Sequence, residues 1–239
     1  MEHTTTRELI SFRKEIKYVI PLKTALSVKS RLDNVLSKDA YCAKGFYSVR
    51  SLYFDSVNNI DYSEKVAGID VRKKIRLRIY NGDASLCKLE IKQKNGDLQH
   101  KHSFIISADD AKELSLGNYS VLKKYFHDTR TSIEAYAVMA QGCYRPVVQI
   151  EYDRIAYKYP MYDTRITLDM NVRSSETNMN LFAPDISYTP VTRQDVVLEI
   201  KYNGKLMGFI SDLFGSFNLT QESYSKYCSG RKVYCDFNY

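Results

Sequence analysis

Between Arg72 and Lys94 the chain alternates charged and aliphatic side chains with a period of two. In RKKIRLRIY, Arg72, Lys74, Arg76 and Arg78 share one face of a strand, and Ile75, Leu77 and Ile79 take the other. In CKLEIKQK, Lys88, Glu90, Lys92 and Lys94 oppose Leu89 and Ile91. Asn81-Gly82-Asp83 between them supplies hairpin turn chemistry. A lone hairpin of this kind would turn its charged face to water. The pattern recurs, however. In FRKEIKYVI (12–20), Arg13, Glu15 and Lys17 oppose Ile16 and Tyr18, and in VVLEIKY (196–202), Glu199 and Lys201 stand among apolar neighbours on the opposite face.

The other elements follow from the same reading. Pro21 closes the first strand, and Thr24 is a fair N-cap for a helix to about Leu36, with Ala25, Val28, Leu32 and Leu36 as its stripe. Residues 46–54 and 98–106 read as strands, and 58–66 as a short helix ended by Gly68. Ser107 opens a helix-like region reaching about Gly142, in three segments, ADDAKELS, VLKKYF and IEAYAVMAQG. Strands are expected over 146–157 and 164–172, a polar loop or weak hairpin over 174–188, and a helix over 205–214. A short SYSKYCSG segment finishes the chain. With no repeat, linker or low-complexity tract, the expectation is one α+β domain over 1–239, its core about 12–230, with mostly antiparallel strands.

Composition sharpens this picture. The 239 residues are 44% hydrophobic, enough for a real core. Lys and Arg number 35 against 28 Asp and Glu, a net +7 that favours a polyanionic partner. The five cysteines are odd in number and form no CxxC pair, which suits reduced thiols in the cytoplasm. No export signal and no window of about 18 apolar residues is found, so a soluble cytoplasmic protein is expected. His100 and His102 share a strand face but fall short of a metal site. Asn203-Gly204-Lys205 is no P-loop, and neither Cys228 nor Cys235 has a nearby histidine. The twenty tyrosines could stack on bases, but most sit in amphipathic strands, where packing is the commoner role.

Glu15/Lys17, Glu90/Lys92 and Glu199/Lys201 each place an acid and a lysine two apart on one face. Between neighbouring strands of an open sheet they would be surface salt bridges. If the sheet closes into a barrel, they converge on a polar, ion-lined interior. Such burial is costly, and the carboxylates, with a bound polyphosphate and metal, could offset it.

FRKEIKY, YSVRSLYFD, IRLRIY, LEIKQK, YDRIAY, RITLDMNV, LEIKY and SKYCSG occur in the order seen in the VTC-type polyphosphate polymerase domain, a member of the triphosphate tunnel metalloenzymes and a relative of the CYTH enzymes. The resemblance runs from about Phe12 to Gly230. It implies an antiparallel β-barrel forming a tunnel, with flanking helices, and transfer of the terminal phosphoryl group of ATP or another nucleoside triphosphate to inorganic polyphosphate. By the same resemblance Lys17, Arg76, Arg78, Lys92 and Lys226 would act on the reacting phosphates. Lys101, Arg154, Arg165 and Lys201 would bind further phosphate oxygens, and Glu199 a divalent metal, Mn²⁺ or Mg²⁺. The mixture of forked Arg and point-charge Lys suits a flexible polyanion. Two positions depart from the pattern. Arg13-x-Glu15-x-Lys17 lacks one carboxylate of the usual ExExK opening, and Ser223 stands where a lysine can precede the SK pair. A tripolyphosphatase or nucleoside triphosphatase of the same fold, and a non-catalytic binder of polyphosphate or nucleic acid, are the alternatives. Nucleic acid is not the expected partner, and a separate membrane partner is left undefined.

Overall fold

Period-two alternation leaves each strand with one apolar face to bury, and the chain does so by curling a single sheet. In the computed structural model, which describes residues 9–235 apart from 13, 43, 97 and 193, β1 (Leu9–Phe12) and β2 (Lys14–Pro21) lead into α1 (Leu22–Val35) and the short β3 (Ser37–Lys38). Then come β4 (Tyr47–Asp55), α2 (Ile60–Val66) and the basic hairpin, β5 (Arg72–Tyr80) and β6 (Asp83–Asn95). β7 (Leu98–Ile105), α3 (Ala108–Ser115) and α4 (Arg130–Gln141) follow, and then the long β8 (Arg145–Tyr159) and β9 (Thr164–Ser175). The chain ends through β10 (Thr189–Pro190), β11 (Asp195–Tyr202), α5 (Gly208–Gly215) and α6 (Lys226–Cys235).

The strand order is β1-β7-β6-β5-β4-β8-β9-β11-β2, with every described pairing antiparallel. This path begins and ends on one stretch of chain: β1 pairs with β7, β2 pairs with β11, and only residue 13 separates β1 from β2. The sheet therefore curls right round into a tunnel. Its aliphatic faces point outward. Ile75, Leu77, Ile79, Leu89 and Ile91 are fully buried in a core that α3 and α4 cover, and α1 and α5 cover Leu168, Leu198 and Ile200 in a second one. The charged faces line the inside.

Two helix starts need correction. The first helix begins at Leu22 rather than beside Thr24: Pro21 precedes it with φ −58°, and the Leu22 N–H bonds Gln194 O at 2.9 Å, so backbone replaces a side-chain cap. The region 107–142 divides into α3, a 3₁₀ stretch (Tyr119–Tyr125) and α4, matching its three segments, whereas the 205–214 helix starts at Gly208. SYSKYCSG is no terminal tail but the start of α6. Ser225 Oγ accepts the Cys228 N–H at 3.3 Å as a cap, and Gly230 lies so close to β8 that a Cβ there would stand 2.2 Å from Ile150 Cδ1.

Candidate functional site

A tunnel wall of alternating strands puts its ionic side chains into one enclosed space, and there they pair. Glu15 on β2 lies 2.9 Å from Lys17, 3.0 Å from Lys92 on β6 and 3.9 Å from Lys201 on β11. Glu199 on β11 contacts Lys201 at 2.6 Å, Lys226 at 3.3 Å, Lys17 at 3.6 Å and Arg154 at 3.9 Å. Asp169 on β9 accepts both arms of Arg154, at 2.6 and 2.7 Å, and meets Lys226 at 2.6 Å. Glu90 on β6 joins Arg76 at 2.6 Å, Arg78 at 3.6 Å and Lys101.

Electrostatics follow from this crowding. Burial opposes ionisation of all four carboxyls, but the cations outweigh it, lowering Asp169 and holding Glu15, Glu90 and Glu199 well below the usual carboxylate range. Burial likewise opposes the charge on Lys17 and Lys226, yet Glu15 with Glu199, and Asp169 with Glu199, raise both above an ordinary lysine. Lys92 is pushed down to about 8, because burial and the neighbouring Lys17 and Lys201 exceed the help from Glu15.

The pairs surround an open cavity of about 960 Å³. Thirteen Lys and Arg line it against three carboxylates, so it remains strongly positive after internal pairing. One side is closed by the segment leading into α6. The Glu222 N–H bonds Lys17 O at 2.9 Å, Lys17 Nζ donates to Tyr224 O at 3.1 Å, and Tyr227 stacks on Tyr53 at 5.1 Å between ring centroids. The Tyr227 hydroxyl donates to buried Asp55, which anchors the helix across the barrel.

Of the residues expected from sequence, Lys17, Arg76, Arg78, Lys92, Arg154, Glu199, Lys201 and Lys226 all line this cavity. Arg165 does not. Its guanidinium is held by Asp39 and the Tyr47 hydroxyl, both at 2.9 Å. Lys101 also stands off the cavity wall, held by Glu90. Arg13, in the altered ExExK motif, lies outside the described residues, and Ser223 accepts a hydrogen bond from Lys65 at 2.8 Å. Asp169 escaped the sequence reading, although it shares a strand face with Arg165 and Thr167 and is fully buried. Glu90 pairs with Arg76, Arg78 and Lys101 rather than with Lys92 of its own strand, and Lys74 of the basic column also lines the cavity.

Among the described residues no three His, Cys, Asp or Glu come together to hold a metal. The donor set nevertheless suits Mg²⁺ or Mn²⁺, which take hard oxygen ligands; Mg²⁺ in particular is held by one or two carboxylates, with phosphate and water completing the shell. Glu199 and Glu15, bridged by Lys17 and Lys201, are the carboxylates in that position.

The VTC domain matches residues 12–235 of the chain. No curated protein matches it in sequence. Among solved structures it is similar to a putative adenylyl cyclase from Hippeastrum, described as having a dominant triphosphatase activity: 15% identity, 92% of this chain and 96% of that chain, TM-score 0.57. A putative adenylate cyclase from Bacillus halodurans covers 90% of this chain and 95% of its own, at 13% identity and TM-score 0.52. A chain of the Schizosaccharomyces pombe Mediator head module also shares the fold, at 9% identity, 89% and 100% coverage and TM-score 0.51. No helix among the described residues is long and apolar enough to cross a membrane.

Proposed function

The chain belongs to the VTC domain family, and we propose that it is a polyphosphate polymerase, transferring the terminal phosphoryl group of ATP to a growing polyphosphate chain inside the tunnel. The observation that carries this reading is the cavity wall, where cations from β2, α2, β5, β6, β8, β11 and α6 converge and outnumber the acids. Phosphoryl transfer demands little covalent chemistry of a protein; alignment and neutralisation of charge supply most of the rate. Arg76 and Arg78 offer forked donors from one strand. Lys17, Lys92, Lys201 and Lys226 offer ammonium groups from facing walls, so a linear anion between them is gripped from both sides. Arg165 and Lys101 lie beyond this slot and are left out of the transfer step.

A divalent metal held by Glu199, with Glu15 beside it, would supply further neutralisation of phosphate charge. Hydrolysis of tripolyphosphate or of a nucleoside triphosphate is the second reading. It is favoured by the residual exposure of Lys92 (33%) and Lys201 (23%), which lets water into the slot. Incubation with ATP and Mn²⁺, followed by a gel for polyphosphate and an assay for free phosphate, separates the two. Long chains are the expected product. Free phosphate alone would make the protein a triphosphatase, and neither product would leave a non-catalytic phosphate binder.

A further inference from the structure

Lys74 stands apart from the cations around it. Lys17, Arg76, Arg78, Lys92, Arg154, Lys201 and Lys226 each carry an ion pair with a carboxylate of the tunnel. Lys74 lines the same cavity from β5, yet no described carboxylate faces it. Its Nζ donates to Ser225 Oγ at 2.7 Å and lies 5.6 Å from the centre of the Tyr227 ring. The groups that do face it are Lys17 of β2, Lys92 of β6, Lys65 of α2, and the Cys228 thiol of α6, with Arg72 and Arg76 beside it on its own strand. Of the charged groups that act on it most strongly, Lys17, Lys92 and Lys65 are all cationic. Ser225 is also the cap of α6, so the positive end of that helix begins at its hydrogen-bond partner. A lysine is placed where its ammonium is opposed from every side, and a phosphate oxygen is the group whose arrival reverses that balance.

We propose that Lys74 is the position at which this tunnel couples phosphate binding to proton uptake: an incoming phosphate oxygen replaces Ser225 as its partner, and the amine becomes an ammonium in the exchange. The proton comes from solvent; one N–H bond forms and no covalent bond in protein or ligand breaks. The idea rests on the phosphate reading of the tunnel. Burial, joined by Lys17, Lys92 and Lys65, lowers Lys74 to about 7 in the free protein, while a bound polyanion favours the charged form. The sign follows from linkage. The affinity gained at Lys74 is fully present below pH 7 and is lost as pH rises from 7 towards the higher value in the complex. At pH 8 the free side chain is mostly neutral, so binding should draw in protons at this position.

The test is calorimetry of tripolyphosphate binding at pH 8 in buffers of different ionisation enthalpy, comparing wild type with Lys74→Arg. Arginine keeps the charge and cannot be deprotonated in this range. Lys74→Arg is expected to bind tripolyphosphate with measurably fewer protons taken up than wild type, and with an affinity that falls less steeply between pH 7 and 9. Proton ionisation of the ligand enters both proteins alike and cancels in the difference; Lys92, which feels the charge at position 74, is separated by the neutral Lys74→Gln. Should the larger guanidinium prevent folding, Lys74→Gln removes the amine without adding bulk and must show the same loss of proton uptake. Equal proton counts in wild type and variant would overturn the proposal while leaving the tunnel a phosphate site. No binding of tripolyphosphate by wild type would overturn the phosphate reading, and the proposal with it.

Discussion

Asp169→Asn should unfold the tunnel from within, and a polyanion should repair it. The carboxylate is fully buried and accepts two hydrogen bonds from Arg154, at 2.6 and 2.7 Å, while Lys226 sits 2.6 Å from the same oxygen pair. Asparagine keeps the shape but removes the charge and turns an N–H₂ group toward two cations. Removing one partner of a buried pair costs about 3–5 kcal/mol, because the remaining charge is left uncompensated. Glu199 remains 3.3 Å from Lys226 and 3.9 Å from Arg154, so the low end, about 3 kcal/mol, is expected. For a chain of this length each kcal/mol shifts Tm by about 2–4 °C, which gives a fall of about 6–12 °C. On the phosphate reading, tripolyphosphate would supply negative charge beside Lys226 and bind only the folded form. At one hundred times its Kd it returns about 2.7 kcal/mol. Thermal unfolding followed by circular dichroism, with and without tripolyphosphate, reads both effects. A fall of less than 2 °C would show that Asp169 does not hold these cations, and a fall that tripolyphosphate leaves unrepaired would refute the phosphate-binding interior.

Arg76→Ala should cost roughly 1.5–3 kcal/mol of phosphate binding by loss of a charge-assisted contact, read as a large drop in turnover with the circular dichroism spectrum unchanged; wild-type turnover would remove the residue from the transfer step. Arg78→Ala should lose turnover as well and also some stability, because its guanidinium bonds Ser51 Oγ at 3.0 Å and the Tyr152 hydroxyl at 3.3 Å. Glu199→Gln should abolish activity together with its dependence on added Mn²⁺, and an unchanged metal titration would move the metal to Glu15. Tripolyphosphate should raise Tm clearly at about 0.15 M salt while a 20-base-pair duplex scarcely moves it, because a duplex cannot enter a small barrel; the reverse ranking would indicate an outward basic face that releases counterions on DNA. Acid should melt the protein early. The carboxyls of Glu15, Glu90, Asp169 and Glu199 are depressed in the fold, so their contribution is fully present above the unfolded values of 3.8 and 4.5 and is lost as pH falls below them. A stability curve flat from pH 6 to 3 would contradict these ion pairs.

The alternation of β2, β5, β6 and β11 was legible because period two separates inner from outer faces without any knowledge of the partner strand. Depth along the tunnel was not legible in the same way. Arg165 lies on the inner face of β9, but its level is set by pairing with Lys201 on one side and Lys158 on the other, a register no local pattern reveals. That register delivers it to Asp39 rather than to the slot. Lys101 shares its fate, since pairing with Lys92 and the pull of Glu90 decide where it ends. Asp169 was hidden because one acid in an apolar strand carries no periodic signal; only its position two and four residues after Thr167 and Arg165 marks the face. α6 was hidden for another reason. Its serine, glycine, tyrosines and cysteines form helices weakly, and the glycine that weakens it locally is required by contact with Ile150. Tertiary packing made that helix, and the sequence around it could not announce the fact.

The internal carboxylates make a tunnel of this charge foldable before any ligand arrives. Thirteen cations around one cavity would be prohibitive to bury if left bare. Glu15, Glu90, Asp169 and Glu199 offset part of that cost by occupying the places a polyanion would fill. They do not occupy them equally. Asp169 and Glu90 are fully buried behind their arginines, so they hold the wall together and remain when a ligand enters. Glu15 and Glu199 reach Lys17, Lys92, Lys201 and Lys226 from the cavity side, so a bound phosphate would take the place of a carboxylate at those lysines. On the proposed phosphate reading, recognition would proceed by exchange of counter-ions along the slot. A ligand with one phosphate can replace one such contact, whereas a linear chain replaces several while paying the loss of translational freedom once. The same two carboxylates, released from their lysines, are the hard oxygen donors that a divalent ion bound to the phosphates would meet.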